Sequence, residues 1–468
     1  MVNKIVLSTT FLAACASVTM AAGVFTVPMK GYVKPQQMNA VSLTHHYLRK
    51  RADPSSSSLT SVMNDIMYTV SLGIGSPPQY FNLAIDTGSP ITWVVSKNCT
   101  GSECENVNNH FNCTASSTCK PSPSSGLINA KYVSGSSIKG SYVTETFNLG
   151  NIQFPSLAGV VTTNNAPLPP TIDGILGLWF AATSIRNVPE EAAILKVLKK
   201  STALAKLEVG IFLDTTTGDE LTAPGGEITF GGVDPARYTG EFTYINCVPH
   251  PPWTIPVERL SVNGQNFNVA GSLATIDTGT SAMLLPKELA DAINYAIPDS
   301  GTDPNEEDQW FLPCSGDIPI TITLGGFTAI IPYTTLAMQN IRKVEKSTGR
   351  EYCQSAAMFA SGPVSTINEW LLGDVFLKNV YTVFDFGTNA ATGGRIGFAN
   401  LAGPIDVNST SGGSNDTTTG TTGNPSPLNA GKITSGDNGS NSASPSQALT
   451  SRGLQAMAIA VSATLAFL

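Results

Sequence analysis

The chain has 468 residues, 41% hydrophobic and 13% charged, with 43 Gly, 30 Pro and a formal net charge of −8. That is enough apolar chain for two lobes plus extensions, rather than for one compact domain. Lys4, Lys30, Lys34, Arg49, Lys50 and Arg51 all precede Asp53, the first acid, so the rest of the chain is more acidic than the total implies; such a body repels phosphates and argues against a nucleic-acid partner.

Residues 1–22 read as a secretory signal peptide: Lys4, then an apolar run from Ile5 to Met20 diluted by Ser and Thr, then small residues, with cleavage placed after Ala22 and Ala16 as the other site. Secretion permits disulfides. Residues 23–51 are basic and end in Leu48-Arg49-Lys50-Arg51, a dibasic processing site. They read as a propeptide, an inhibitory partner whose positive charge grips acidic groups at neutral pH and lets go when those groups protonate. Residues 52–65 are Ser-rich and are expected to be a flexible start of the mature protein.

The body from residue 66 to 400 is rich in Val, Ile, Thr, Tyr and Phe, broken at short intervals by Gly and Pro, which predicts an all-β class with few helices. Phe81, Leu83 and Ile85 alternate with smaller or polar residues, as in a half-buried strand, and the strand runs directly into Asp86-Thr87-Gly88-Ser89. The polar stretch that follows holds Cys99, Cys104, Cys113 and Cys119 and the sequons at Asn98 and Asn112. These cysteines lack a metal-ligand pattern and are expected to form two disulfides of open pairing, with no metal bound. Helices are predicted over Pro189–Leu198, with Glu190 and Glu191 at its start and Lys199-Lys200 at its end, and over Pro286–Ala296.

A second apolar strand, Leu273–Ile276, feeds Asp277-Thr278-Gly279-Thr280. Each Asp is followed, after a similar length of chain, by an apolar Leu-Gly pair: Leu176-Gly177 in the first half and Leu372-Gly373 in the second. One Asp-Thr-Gly is an ordinary turn; the same ordered pair of motifs twice implies a duplicated lobe, 66–233 and 234–400. Beyond Asn400 the composition turns to Gly, Ser, Thr, Asn and Pro, with sequons at Asn408, Asn415 and Asn438, predicting a glycosylated stalk over 401–452. The uncharged apolar end, 453–468, falls short of the roughly 20 residues of a membrane-spanning helix. With Asn441-Ser442-Ala443 and a polar spacer before it, it reads as a GPI-anchor signal attached at Asn441, with Asn438 as the second choice. That predicts a cell-surface protein touching the membrane only through the anchor, the other outcome being a soluble extracellular one.

These motifs, with Tyr68 to Gln79, Trp93, Tyr132 to Ser136, Gly231 to Asp234 and Leu372 through Phe398, resemble those of the pepsin-like aspartic endopeptidases over roughly Tyr68 to Asn400. The resemblance implies a bilobal β fold with a cleft between the lobes, protein or peptide substrates, a monomer, no cofactor, and Asp86 and Asp277 as catalytic acids. It further implies that Gly88 and Gly279 present backbone N–H groups to the carboxylates, that Ser89 and Thr280 bond their outer oxygens, and that Thr87 and Thr278 lock the two loops together. Tyr132, Ser134, Gly135 and Ser136 fall where the family keeps its flap, and Trp93 resembles the partner of Tyr132. Val133 and Pro90 depart from the family pattern. Cys314 and Cys353 are implied to pair, which leaves Cys247 as a free thiol, and a propeptide Lys, Lys30 or Lys34, is implied to bridge the two acids.

Two carboxyl groups within a few ångströms cannot both ionise, so one keeps a proton while the other is a base, and together they can activate a water and protonate a leaving nitrogen. A serine or zinc protease is excluded by the histidines: His45 and His46 lie in the propeptide, and His110 and His250 sit in no nucleophile or zinc motif. The rival reading is a catalytically silent pepsin-like module that binds a surface or cell wall.

Overall fold

The computed structural model describes residues 57–403, apart from 64, 133–135, 151, 167, 170, 181–187, 202, 217–220, 249–252, 304–305, 346–347, 360–368 and 392, together with 431–432. The expected signal peptide, propeptide and anchor signal, with Asn408, Asn415, Asn438 and Asn441, lie outside the described residues, as do Ser134 and Gly135. Of the expected stalk, 401–403 and 431–432 are described, Leu401 ending the strand Arg395–Leu401 and Gly431–Lys432 pairing in parallel with Gly301 and Thr302.

The described chain is mostly strand. Its largest sheet has 14 strands and draws on both halves: Tyr238–Asn246, Arg395–Leu401 and Tyr381–Asp385 continue into Glu208–Leu213, Thr222–Phe230, Ser57–Val62, Met67–Ile74 and Gln79–Asp86. The second half adds a five-stranded sheet in the order Thr254–Pro256, Leu273–Ile276, Glu369–Leu372, Met283–Leu285 and Ala357–Phe359. In each half the strand that ends at the Asp pairs in parallel with the strand that ends at the Leu-Gly motif. Leu83–Asp86 runs beside Gly174–Gly177, and Leu273–Ile276 beside Glu369–Leu372. Both strands of each pair are almost wholly buried; the first Asp strand, expected to be half-buried from its alternation, has Leu83, Ala84, Ile85 and Asp86 all buried because it lies between two neighbours in the middle of the sheet.

Local chemistry moved some boundaries. The first predicted helix is a 3-10 turn, Glu190–Ala192, followed by a helix over Ile194–Lys200; the second runs over Lys287–Tyr295. The segment expected to be flexible, 52–65, contains the strand Ser57–Val62, paired on both sides. Leu59 and Val62 are buried there, and the serine content misleads because Ser61 Oγ is committed to Asp65 at 2.7 Å. Asp65 in turn pairs with Lys378 from the other half at 3.2 Å.

The disulfides are Cys99–Cys104, Cys113–Cys119 and Cys314–Cys353. Among the described residues Cys247 is the free cysteine, and burial pushes its thiol up to about 12, so it packs as a small apolar group.

On the sheet that joins the halves, Glu227 is buried and receives the Arg237 guanidinium at 2.9 and 3.1 Å. Burial, then a hydrogen bond with Asp234, raises its carboxyl from 4.5 to about 6. A raised acid pKa means that the folded state holds the proton more tightly, so the contribution is complete below about 4.5 and lost as pH rises through about 6, amounting to at most about 2 kcal/mol. Thermal midpoints measured across that interval should fall with pH in the wild type and fall less steeply in Glu227→Gln; parallel slopes would contradict this assignment.

Candidate active site

The two Asp-Thr-Gly turns meet at the centre of the molecule, and Asp86 and Asp277 are both fully buried. Thr87 N donates to Thr278 Oγ1 at 3.1 Å and Thr278 N to Thr87 Oγ1 at 3.0 Å. Each hydroxyl then donates across to the opposite strand, Thr87 to the Ile276 carbonyl at 2.9 Å and Thr278 to the Ile85 carbonyl at 3.0 Å. Four reciprocal bonds between buried groups fix the spacing of the two loops, and hence of the carboxylates.

Gly88 N donates to Asp86 Oδ1 at 2.8 Å and to Asp277 Oδ1 at 3.0 Å, so one backbone N–H spans both acids. A Cβ at Gly88 would lie 2.7 Å from Asp277 Oδ1, which is why no side chain fits there. The Leu-Gly motifs have the same cause. A Cβ on Gly177 would come within 2.8 Å of the Ser89 carbonyl oxygen, and one on Gly373 within 1.9 Å of the Thr280 carbonyl oxygen, so only glycine lets these strands pass against the acid turns.

The two acids differ in their partners. Asp277 also accepts Gly279 N at 2.9 Å and, at its other oxygen, Thr280 Oγ1 at 2.8 Å. On the first turn Ser89 stands near Asp86 without a hydrogen bond of ordinary geometry, and both Asp86 Oδ2 and Ser89 Oγ are buried and unpaired by that measure. Burial, then the negative charge of Asp277, raises the Asp86 carboxyl well above the usual carboxylate range, against the pull of the nearby Ser89 hydroxyl and of Gly88 N–H. Aspartic-protease pairs are the usual illustration of this effect.

Tyr132 lies at the end of the strand Leu127–Lys131, and its hydroxyl accepts the Trp93 indole N–H at 2.8 Å. Tyr132 N donates to the Ser136 carbonyl at 2.9 Å, closing the hairpin end. Both aromatic side chains are buried in the cluster that also holds Ile91, Ile128 and Ile175. Asn98 is exposed; Asn112 is half-buried, its Oδ1 accepting from Thr114 N and Thr114 Oγ1.

Asp374, to which the sequence motifs assign no role, directly follows the second Leu-Gly motif. It is buried with neither carboxylate oxygen hydrogen-bonded, and burial raises its carboxyl well above the ordinary value, the nearby Lys378 ammonium opposing the shift. Its only signal in the sequence is adjacency to Gly373. No cluster of metal-binding side chains occurs among the described residues, and no described helix is long and apolar enough to cross a membrane.

The chain matches the eukaryotic aspartyl protease family over residues 67–401. Cathepsin D of Chionodraco hamatus is 32% identical over 343 residues, covering 72% of this chain and 81% of that protein. The aspartic-type endopeptidase ctsD of Aspergillus fumigatus is 30% identical over 365 residues, 75% of this chain and 69% of its own. Major aspartyl peptidase 1 of Cryptococcus neoformans var. grubii is 29% identical over 382 residues, with 77% and 74% covered. With the family match spanning well over half of the sequence and its all-β fold built around paired Asp-Thr-Gly turns, the chain belongs to the eukaryotic aspartyl proteases and is an aspartic-type endopeptidase, a hydrolase of protein and peptide substrates.

Proposed function

We propose that Asp86 and Asp277 cleave peptide bonds at acid pH through an activated water, without a covalent intermediate. The observation that carries this reading is the Gly88 N–H shared by the two buried carboxyls. Asp277 accepts three hydrogen bonds and Asp86 one, so Asp277 is the better stabilised carboxylate and Asp86 keeps the shared proton. Asp277 takes a proton from the water as its oxygen attacks the scissile carbonyl carbon, while Asp86 gives its proton to the carbonyl oxygen. In the tetrahedral intermediate the proton on Asp277 passes to the nitrogen, the C–N bond breaks, and a hydroxyl proton returns to Asp86. Tyr132 with its Trp93 bond, and Ser136, cover the substrate, together with Ser134 and Gly135 of the flap that the sequence motif implies. A pepstatin-type inhibitor, whose hydroxyl mimics that intermediate, should block cleavage of denatured protein at acid pH; full activity at saturating inhibitor would reject the dyad mechanism, and absence of any cleavage by the uninhibited wild type would favour a silent binding module.

The same reading includes maturation and placement, which rest on the sequence. Residues 1–22 lead the chain into secretion, 23–51 hold the enzyme inactive until cleavage after Arg51, Asn98 and Asn112 carry N-linked sugar, and 401–452 tether a monomeric enzyme to the cell surface through an anchor at Asn441. Phosphatidylinositol-specific phospholipase C should release active enzyme beginning near Ala52 from intact cells. Active enzyme free in the medium with Leu468 still attached would refute the anchor, and one beginning at Gly23 would refute the propeptide.

A further inference from the structure

The residues after the first Leu-Gly motif are Leu178-Trp179-Phe180. The parallel ladder continues one step past the strand, with Leu178 N donating to the Asp86 carbonyl at 2.7 Å, and Trp179 N then donates to the Ser89 carbonyl at 3.0 Å. Side chains along this run alternate. Leu176, Leu178 and Phe180 enter the large core, where Phe180 packs on Trp253 and Phe386. Ile175 belongs to the other cluster, the one containing Trp93 and Tyr132, and the Cβ direction of Gly177 meets Ser89, Pro90 and Ile91. Trp179 follows on that second face by the same alternation. It is only half-buried, yet its indole N–H is shielded from solvent and has no hydrogen-bond partner.

A shielded donor without an acceptor is unfavourable, and most such groups in folded proteins are paired. Trp179 Nε1 is one of three unpaired polar atoms, with Ser89 Oγ and Asp86 Oδ2, on residues that the backbone brings together: Trp179 N donates to the Ser89 carbonyl and Leu178 N to the Asp86 carbonyl. Trp370 also has an unpaired indole N–H, but it is wholly enclosed in the core, whereas Trp179 reaches solvent.

We propose that Trp179 is a specificity-determining residue of this endopeptidase, its indole forming one wall of a substrate subsite beside the first acid turn and donating its N–H to a carbonyl oxygen of the bound polypeptide. The ring contributes a flat apolar surface for a substrate side chain, and the N–H gains the acceptor it lacks in the free enzyme. This rests on Asp86 and Asp277 being the catalytic pair.

The test is cleavage of a randomised peptide pool by wild type, Trp179→Phe and Trp179→Ala, with thermal midpoints recorded for each. Trp179→Phe, which keeps a ring and removes the donor, should lose about 2- to 10-fold in kcat/KM on the best wild-type peptides, through a raised KM with kcat held. Trp179→Ala should in addition lose the residue preference at one substrate position and keep it at the others. Should Trp179→Ala fail to fold, the KM of Trp179→Phe decides. An unchanged KM in a folded Trp179→Phe, or an unchanged cleavage profile in a folded Trp179→Ala, would overturn the assignment. Absence of cleavage by wild type, or its survival in Asp86→Asn, is a failure of the dyad and is read separately.

Discussion

Asp86→Asn and Asp277→Asn should each lower kcat by at least about 10³-fold on an unfolded protein substrate, and the double mutant should be little worse than either single one. The two carboxyls share one Gly88 N–H, and in the proposed mechanism they share one proton, so removing either would remove the acid–base pair as a unit. Stability should move differently. Asp86 is fully buried, accepts a single hydrogen bond, and has its outer oxygen unpaired. A neutral amide there relieves the repulsion from Asp277, so the thermal midpoint of Asp86→Asn near neutral pH should equal or exceed that of the wild type. Asp277→Asn puts an amide where Gly279 N and Thr280 Oγ1 donate, and should gain less. A mutant that keeps near wild-type turnover would show that the pair is misassigned; one that loses activity together with its fold would show only that the loops need the carboxylates.

Gly88→Ala should be nearly as damaging, by a different route. The added Cβ would sit 2.7 Å from Asp277 Oδ1 and 2.8 Å from its Cγ, closer than carbon and oxygen pack, and neither neighbour is the free end of a long chain. Relief requires the turn to retreat, yet the Thr87–Thr278 bonds hold it from behind. The carboxyls separate, the shared N–H leaves one of them, and a displacement of about 1 Å is enough for roughly a 100-fold loss in kcat. Overpacking of this kind costs about 1–3 kcal/mol, visible as a lowered unfolding midpoint. Full activity in Gly88→Ala would mean that the two acids need not be so close.

Much of this architecture was legible because chemistry forces residue types at these points. An acid at a strand end followed by a glycine whose N–H reaches a carboxylate, and on the first turn touches the opposite acid, leaves Asp-Thr-Gly, and a strand squeezed against that turn leaves Leu-Gly; the repetition of both made the pairing of halves readable. The sheet that unites the halves was not legible, since nothing in Tyr238–Asn246 or Arg395–Leu401 says that they share a sheet with Ser57–Val62. Ser57–Val62 itself was hidden by its serines, whose role depends on Asp65 and a lysine far along the chain. Asp374 and Trp179 were missed for the same reason: their significance lies in what they lack, an unpaired carboxyl and an unpaired N–H, and absent partners leave no mark in a sequence.

The central claim is that one proton, held between Asp86 and Asp277, does the chemistry. It is tested most directly by kcat/KM of the wild type across acid to neutral pH, on a peptide substrate without ionisable groups. Burial and the charge of Asp277 raise the Asp86 carboxyl, so the catalytically competent, singly protonated pair persists into weakly acid solution and is lost as that proton leaves. The predicted profile is a bell whose alkaline limb falls tenfold per pH unit, the slope of a single ionisation, measured where thermal midpoints show the fold intact. A rate that stays level or rises through neutrality would contradict the account.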